Sequence, residues 1–166
     1  MYKEFTRSQV DGSVTYDPST GKFYRVKAWN GAKPGTECGF VSKGDGYVRV
    51  SISGTPVLAH RVAWFICTGK WPESQIDHAN GYRSDNRIEN LRVCTISENR
   101  WNSKKRDRNT SGFKGVTWDA RRKLWSAQIM ANRKNYNLGR FETPEAAHMA
   151  YVNAAKRLHG AFARTD

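Results

Sequence analysis

The chain has 166 residues and a mass of 18.9 kDa, room for one ordinary domain or two small ones. Its 28 Lys and Arg against 15 Asp and Glu give a net charge of +13, which excludes an acidic scaffold and favours a polyanionic partner, nucleic acid first. With a mean hydropathy of -0.76 and no apolar run of the roughly 18 residues a span needs, the sequence reads as soluble and cytoplasmic, with no signal-peptide core and no membrane partner. Three cysteines, Cys38, Cys67 and Cys94, are too far apart for a disulfide framework or a paired zinc site. They read as buried packing groups.

Charge is uneven along the chain. Residues 1–99 carry 13 basic and 10 acidic side chains, a surplus of three, whereas 100–166 carry 15 and 5, a surplus of ten. The C-terminal part is therefore expected to be the stronger polyanion binder.

In chain order, residues 1–59 read as short strands. Ser13–Tyr16 and Lys22–Val26 flank the turn Asp17-Pro18-Ser19-Thr20-Gly21, and alternating Gly46–Ile52 turns through Ser53-Gly54-Thr55-Pro56 into Val57-Leu58. From His60 to Lys70 apolar residues recur at helical spacing, with Gly69 as a stop. Ile76-Asp77-His78 and Leu91-Arg92-Val93-Cys94 are strand fragments around a polar loop, and Thr95-Ile96-Ser97-Glu98 is a capping box that starts a helix carrying Asn99. That cap lets the helix start by itself, so a core ending near Lys105 is expected to hydrolyse alone. A basic, aperiodic stretch over 106–112 reads as a linker. Beyond it, Gly115–Trp118, Leu124–Met130 and Tyr136–Phe141 alternate as three strands, and Thr143-Pro144-Glu145 opens an alanine-rich helix that reaches Gly160. The fold class is α+β.

Asp77 and His78 are adjacent at a strand end, where both side chains can reach one site. An Asp oxygen and the Asn99 amide oxygen suit one hard cation such as Mg²⁺, with positions left for water and phosphate, and His78 is then free as a base. Taken alone, such a pair is also what surface or capping residues look like.

The stretch His60-Arg61-Val62-Ala63-Trp64, Trp71-Pro72, Ile76-Asp77-His78, Asn80-Gly81, Asp85–Arg92 and Glu98-Asn99 resembles the HNH homing endonucleases of phages and introns. The resemblance implies a ββα-metal (His-Me finger) core over 60–105 behind an N-terminal β extension at 1–59. It also implies catalytic roles for His78 as general base and for the central Asn90, which ties the loop and holds the base. Metal ligands at Asp77 and Asn99 follow, with Mg²⁺, or Mn²⁺, as cofactor and no zinc. Asn99 stands where the family's letters have a second His. Trp64, Phe65, Ile76 and Leu91 are expected to hold the small fold together. His60 reads as a structural, hydrogen-bonding histidine, and Asp85 and Glu89 as fixing the loop through Arg87.

From Ser111 to about Ala163 the chain is similar to the AP2 DNA-binding domain, implying a three-stranded sheet packed on one helix over 113–166. Alternation turns Val116, Trp118, Trp125, Ala127, Ile129, Tyr136 and Leu138 to the helix and Thr117, Ser126, Gln128, Met130, Asn135 and Asn137 outward. The expected double-stranded-DNA contacts are Lys104, Lys105, Arg106, Arg108, Lys114, Thr117, Arg121, Arg122, Lys123, Gln128, Arg133, Lys134, Asn135 and Asn137. His148 and His159 read as helix-surface residues. These expectations add up to a site-recognising, nicking DNA endonuclease, monomeric with a dimer left open. The alternative is a non-catalytic AP2-type regulator on a decayed nuclease fold.

Overall fold

The computed structural model describes residues 4–105 and 109–165. The chain divides into two compact units, Met1–Cys94 and Thr95–Asp166, both mixing small antiparallel sheets with few helices. The division falls inside the expected 60–105 core, between the strand that ends at Cys94 and the helix that follows it.

The first unit opens with helix α1 (Arg7–Asp11) in a stretch expected to hold strands alone. Thr6 and Gln9 form a reciprocal cap, Gln9 N–H donating to Thr6 Oγ1 at 3.3 Å and Thr6 N–H to Gln9 Oε1 at 2.9 Å, and Val10 is fully buried. Strands β1 (Val14–Asp17), β2 (Lys22–Arg25) and β3 (Glu37–Cys38) form one antiparallel sheet, and β4 (Phe40–Val41), β5 (Val48–Ile52) and β6 (Thr55–Leu58) another. Helix α2 (Ala59–Thr68) stops at Gly69 in the left-handed conformation. It turns Ala59, Val62, Ala63 and Phe65 into a core with Phe23, Val50, Ile52, Ile76 and Leu91, and Trp64 packs at its margin. Strands β7 (Gln75–His78) and β8 (Leu91–Cys94) pair antiparallel, with Asp77 opposite Arg92 and His78 opposite Leu91. Of the cysteines, only Cys94 is buried; Cys38 is intermediate, and Cys67, on the outer side of α2, is exposed.

The second unit starts with α3 (Ile96–Trp101), capped by Thr95 and Glu98 as its sequence requires. Strands β9 (Val116–Asp119), β10 (Leu124–Ala131) and β11 (Lys134–Phe141) follow, with β10 central, and α4 (Pro144–His159) covers one face. Thr143 caps α4, and Pro144 occupies its first turn. Ala127, Ile129, Ala147, Tyr151 and Ala155 make the core, where the small alanines let helix and sheet approach. Gly115, at a φ of 75°, lies so close to the Tyr151 ring that a side chain has no room. Trp118 and Tyr136, expected against the helix, are 47% and 38% exposed. Trp118 sits on β9, the edge strand that the helix covers least, and leans on Trp125 at 5.0 Å instead, while Tyr136 stands near the β10–β11 turn.

Candidate active site

Strand β7 ends at His78, and the chain returns to β8 through a polar loop that its own side chains close. Asn90 draws the loop together: its Oδ1 accepts from Asn80 N–H at 3.0 Å and its Nδ2 donates to Asp85 O at 2.8 Å, while its carbonyl accepts from Ala79 N–H at 2.8 Å. Asp85 is held by the Arg87 guanidinium at 2.8 Å and by Asn80 Nδ2 at 2.7 Å, and Arg87 also reaches Glu89 at 3.0 Å. Hydrogen bonds from Arg87 keep the Asp85 carboxyl at about 2.

The N-terminal strands buttress this loop. Gly21, at a φ of 73° in the β1–β2 turn, lies so close to the chain that an added Cβ would be 2.5 Å from Arg87 N. Ile88 N–H donates to Pro18 O at 3.2 Å, and Tyr16 Oη donates to Asn86 O at 2.7 Å.

His78 is 4% exposed and Asn86 2%. His78 Nε2 lies 3.3 Å from Asn86 Oδ1, and Asn86 Nδ2 donates to Ser84 O at 3.2 Å. With the amide so oriented, Oδ1 is the acceptor, so Nε2 carries the hydrogen and Nδ1 the lone pair. Burial pulls the His78 pKa below its ordinary value, against the opposing effects of Asn86 and of the Asp77 and Asp85 charges. The imidazole is neutral at pH 7. Two further rings box it: His60 edge-on at 5.1 Å and 86°, and Tyr47 at 5.9 Å, itself covered by the Arg83 guanidinium at 4.9 Å. His60, expected to be fixed by hydrogen bonds, is instead fixed by packing. It is 4% exposed, its Nδ1 has no hydrogen-bond partner, and burial lowers its pKa to about 3.

Asp77 is 5% exposed, and its Oδ2 accepts from Arg92 Nε at 2.8 Å and lies 2.7 Å from Arg92 Nη2. Among the described residues no three His, Cys, Asp or Glu side chains gather as a metal cage. In the first unit the donor that the sequence assigned is the Asp77 carboxylate, a hard oxygen. That fits a hard divalent cation completed by water and phosphate, and it does not fit a soft ion held by protein alone. Asn99 lies on α3 in the second unit, where its N–H donates to Thr95 O at 3.0 Å. Asn86, Tyr47 and Arg92 were not singled out from sequence for the site, although Asn86 and Arg92 stand inside the motif stretch 85–92 that carried the resemblance; His60, also inside that resemblance, was read as structural.

In the second unit α3 is anchored from its own side. The Trp101 ring stacks on His159 at 4.4 Å and 8°, and His159 Nε2 donates to Met130 O at 3.0 Å. Lys114 Nζ donates to Trp101 O at 2.8 Å and Ser103 O at 2.6 Å, satisfying carbonyls at the end of α3. His159, expected on the helix surface, is thus buried, and half-buried His148 stacks on Phe113 at 4.7 Å.

The sheet face away from α4 carries Thr117, Gln128, Met130, Asn135 and Asn137, all exposed, with half-exposed Ser126. Asn135 Nδ2 donates to Gln128 Oε1 at 3.0 Å, and Asn137 Oδ1 accepts from Gly139 N–H at 3.0 Å. A register shift between Ala127 and Gln128 leaves Leu138 as an extra residue in β11, so Arg140 stands opposite Ser126 on this face. Strict alternation had hidden it. Arg121, Arg122 and Lys123 are exposed in one turn, Arg122 reaching Asp119 at 3.3 Å, and Arg133 and Lys134 are exposed at the next. Lys104 and Lys105 are exposed, with Lys105 Nζ donating to Gly112 O at 2.7 Å. Arg106 and Arg108 lie outside the described residues. A cleft of about 830 Å³ beside this face is lined by Arg100, Lys114, Arg133, Gln128 and Asn135 among others. No helix among the described residues is long and apolar enough to cross a membrane.

With this geometry in view, a family model for HNH endonucleases matches residues 57–101 and one for the AP2 domain matches residues 111–161. Protein 3.8 of Escherichia phage T7 is 34% identical over 106 residues, which are 63% of this chain and 87% of that protein. No solved structure matches.

Proposed function

Because this chain belongs to the phage-type HNH proteins that carry an AP2 domain, we propose that it is a site-recognising, homing-type DNA endonuclease that nicks phosphodiester bonds with His78 as general base. The observation that carries this reading is the buried His78–Asn86 pair beside the buried Asp77 carboxylate at the end of β7.

With Nε2 donated to Asn86 Oδ1, the His78 Nδ1 lone pair takes the proton of the attacking water. Burial keeps the ring neutral, and the boxing rings of His60 and Tyr47 hold its plane. Asn90 serves by keeping the loop closed around it. Asp77 is the protein's carboxylate ligand, and Asn99 takes the ligand role that its place in the HNH pattern implies. Asp77 and Asn99 would be the residues to hold a divalent ion, Mg²⁺ first and Mn²⁺ next, and the chemistry it would supply is neutralisation of the charge that develops during phosphodiester hydrolysis. The products are a 5′-phosphate and a 3′-hydroxyl.

The AP2-like sheet reads the duplex with Thr117, Gln128, Asn135, Asn137 and Arg140, while Arg121, Arg122, Lys123, Arg133, Lys134, Lys104 and Lys105 meet phosphates. Arg106 and Arg108 join them on charge alone. Lys114 leaves the set, since its ammonium is engaged with α3. One active site per chain makes a nick the expected product, and the infected host cell is the expected setting. The rival, a DNA-binding regulator on a decayed nuclease fold, draws on the commitment of Asp77 to Arg92. Supercoiled plasmid separates the two readings: nicking with Mg²⁺ that EDTA abolishes is the expected result, and binding without nicking at any Mg²⁺ or Mn²⁺ concentration supports the regulator.

A further inference from the structure

We propose that Arg92 is a displaceable counter-ion for Asp77, so that this protein binds its divalent metal weakly alone and tightly only together with DNA, whose phosphate takes the Arg92 guanidinium. The proposal rests on the reading of Asp77 as a metal ligand.

Asp77 and Arg92 face each other directly across β7 and β8, and both bonded guanidinium nitrogens point at one carboxylate oxygen. The two ends of the pair differ in exposure. The Asp77 side chain is 6% exposed, and a buried carboxylate needs a counter-charge; the Arg92 side chain is 24% exposed, so the guanidinium has room to leave. A divalent ion reaching the free protein therefore meets a carboxylate already paired with a guanidinium, and no group of three or more His, Cys, Asp or Glu side chains among the described residues stands ready to hold it instead. Double-stranded DNA supplies another anion for the guanidinium. A phosphodiester is a bidentate partner for guanidinium, as good in geometry as the carboxylate it replaces. Once Arg92 turns to phosphate, the Asp77 carboxylate is released for the ion. By linkage each ligand then raises the affinity of the other by the same factor.

The test is Mn²⁺ binding to the full-length protein, by electron paramagnetic resonance or calorimetry, without DNA and with a non-specific duplex. For Arg92→Gln, Mn²⁺ affinity without DNA is expected to rise at least about tenfold, since removing a unit charge within a few ångströms of a divalent ion is a large effect even at an effective dielectric of about 20. Arg92→Lys keeps the charge and is expected to stay near wild type, and duplex DNA is expected to tighten wild-type binding more than that of Arg92→Gln. Unchanged or weaker Mn²⁺ binding by Arg92→Gln, with binding lost in Asp77→Asn, overturns the counter-ion role alone. Full Mn²⁺ binding by Asp77→Asn overturns the ligand assignment and this proposal with it. Should Arg92→Gln be unstable, Mn²⁺ must raise its melting temperature more than that of wild type; an equal or smaller rise overturns the proposal.

Discussion

Replacing His60 by Phe keeps a ring against His78 and Tyr47 but removes a group that cannot take a proton in the folded state until about pH 3. Burial is the main cause, and the positive charges near it, His78 when protonated, Arg61 and Arg49, act in the same direction while Asp45 opposes them. In the unfolded chain His60 titrates near its ordinary value of 6.5. Between those two values the unfolded state binds the extra proton, so native stability falls as pH falls through that window. At pH 5 the interval from 6.5 costs about 2 kcal/mol at 1.36 kcal/mol per unit, and at pH 8 it costs almost nothing. Urea unfolding of wild type and His60→Phe at pH 8 and pH 5 measures this directly. The variant is expected to lose about 2 kcal/mol less than wild type between the two pH values, whatever its stability at pH 8. Equal losses in the two proteins would refute the account of His60 as a buried neutral imidazole.

Gly21→Ala puts a methyl against the Arg87 backbone at a positive φ, and is expected to lower stability by about 1–3 kcal/mol and slow cleavage by loosening the loop that holds Asn86; thermal melts and plasmid cleavage check both. A chain ended after Lys105 loses His159 and Lys114 and leaves α3, only six residues long, without its anchors. Such a core is expected to lose cleavage, and Trp101→Ala in the full chain to reduce it; unimpaired hydrolysis by the truncated core would restore the independent-core expectation. Arg140→Ala is expected to weaken duplex binding and reduce the salt slope by about one if Arg140 meets phosphate, or to relax sequence preference if it meets a base edge. Filter binding across salt concentrations tells the two apart.

Much of this fold was legible because local signals and tertiary structure agree. The Thr95–Glu98 capping box starts α3, Thr143 and Pro144 start α4, and β8 spans the expected Leu91–Cys94. The short helix α1 escaped notice because a five-residue helix has too little periodicity to show; its Thr6–Gln9 cap was the available sign. Asp77 and His78 stood out as neighbours in sequence. Asn86, His60 and Arg92 did not, because each meets the site across a loop or from another element, and no spacing rule records such a contact. Arg140 was hidden by one extra residue in β11, which reverses the face of everything after it. The burial of His159 and the exposure of Trp118 both follow from tertiary packing: α3 covers the first, and an edge strand leaves the second half open.

Single-turnover cleavage of plasmid DNA by His78→Ala, run beside a DNA-binding titration of the same variant, tests the central claim most directly. The account predicts a fall in rate of about 10²–10⁴-fold, as removal of a general base produces, with duplex affinity unchanged because the reading sheet lies elsewhere in the chain. Cleavage at the wild-type rate would contradict it.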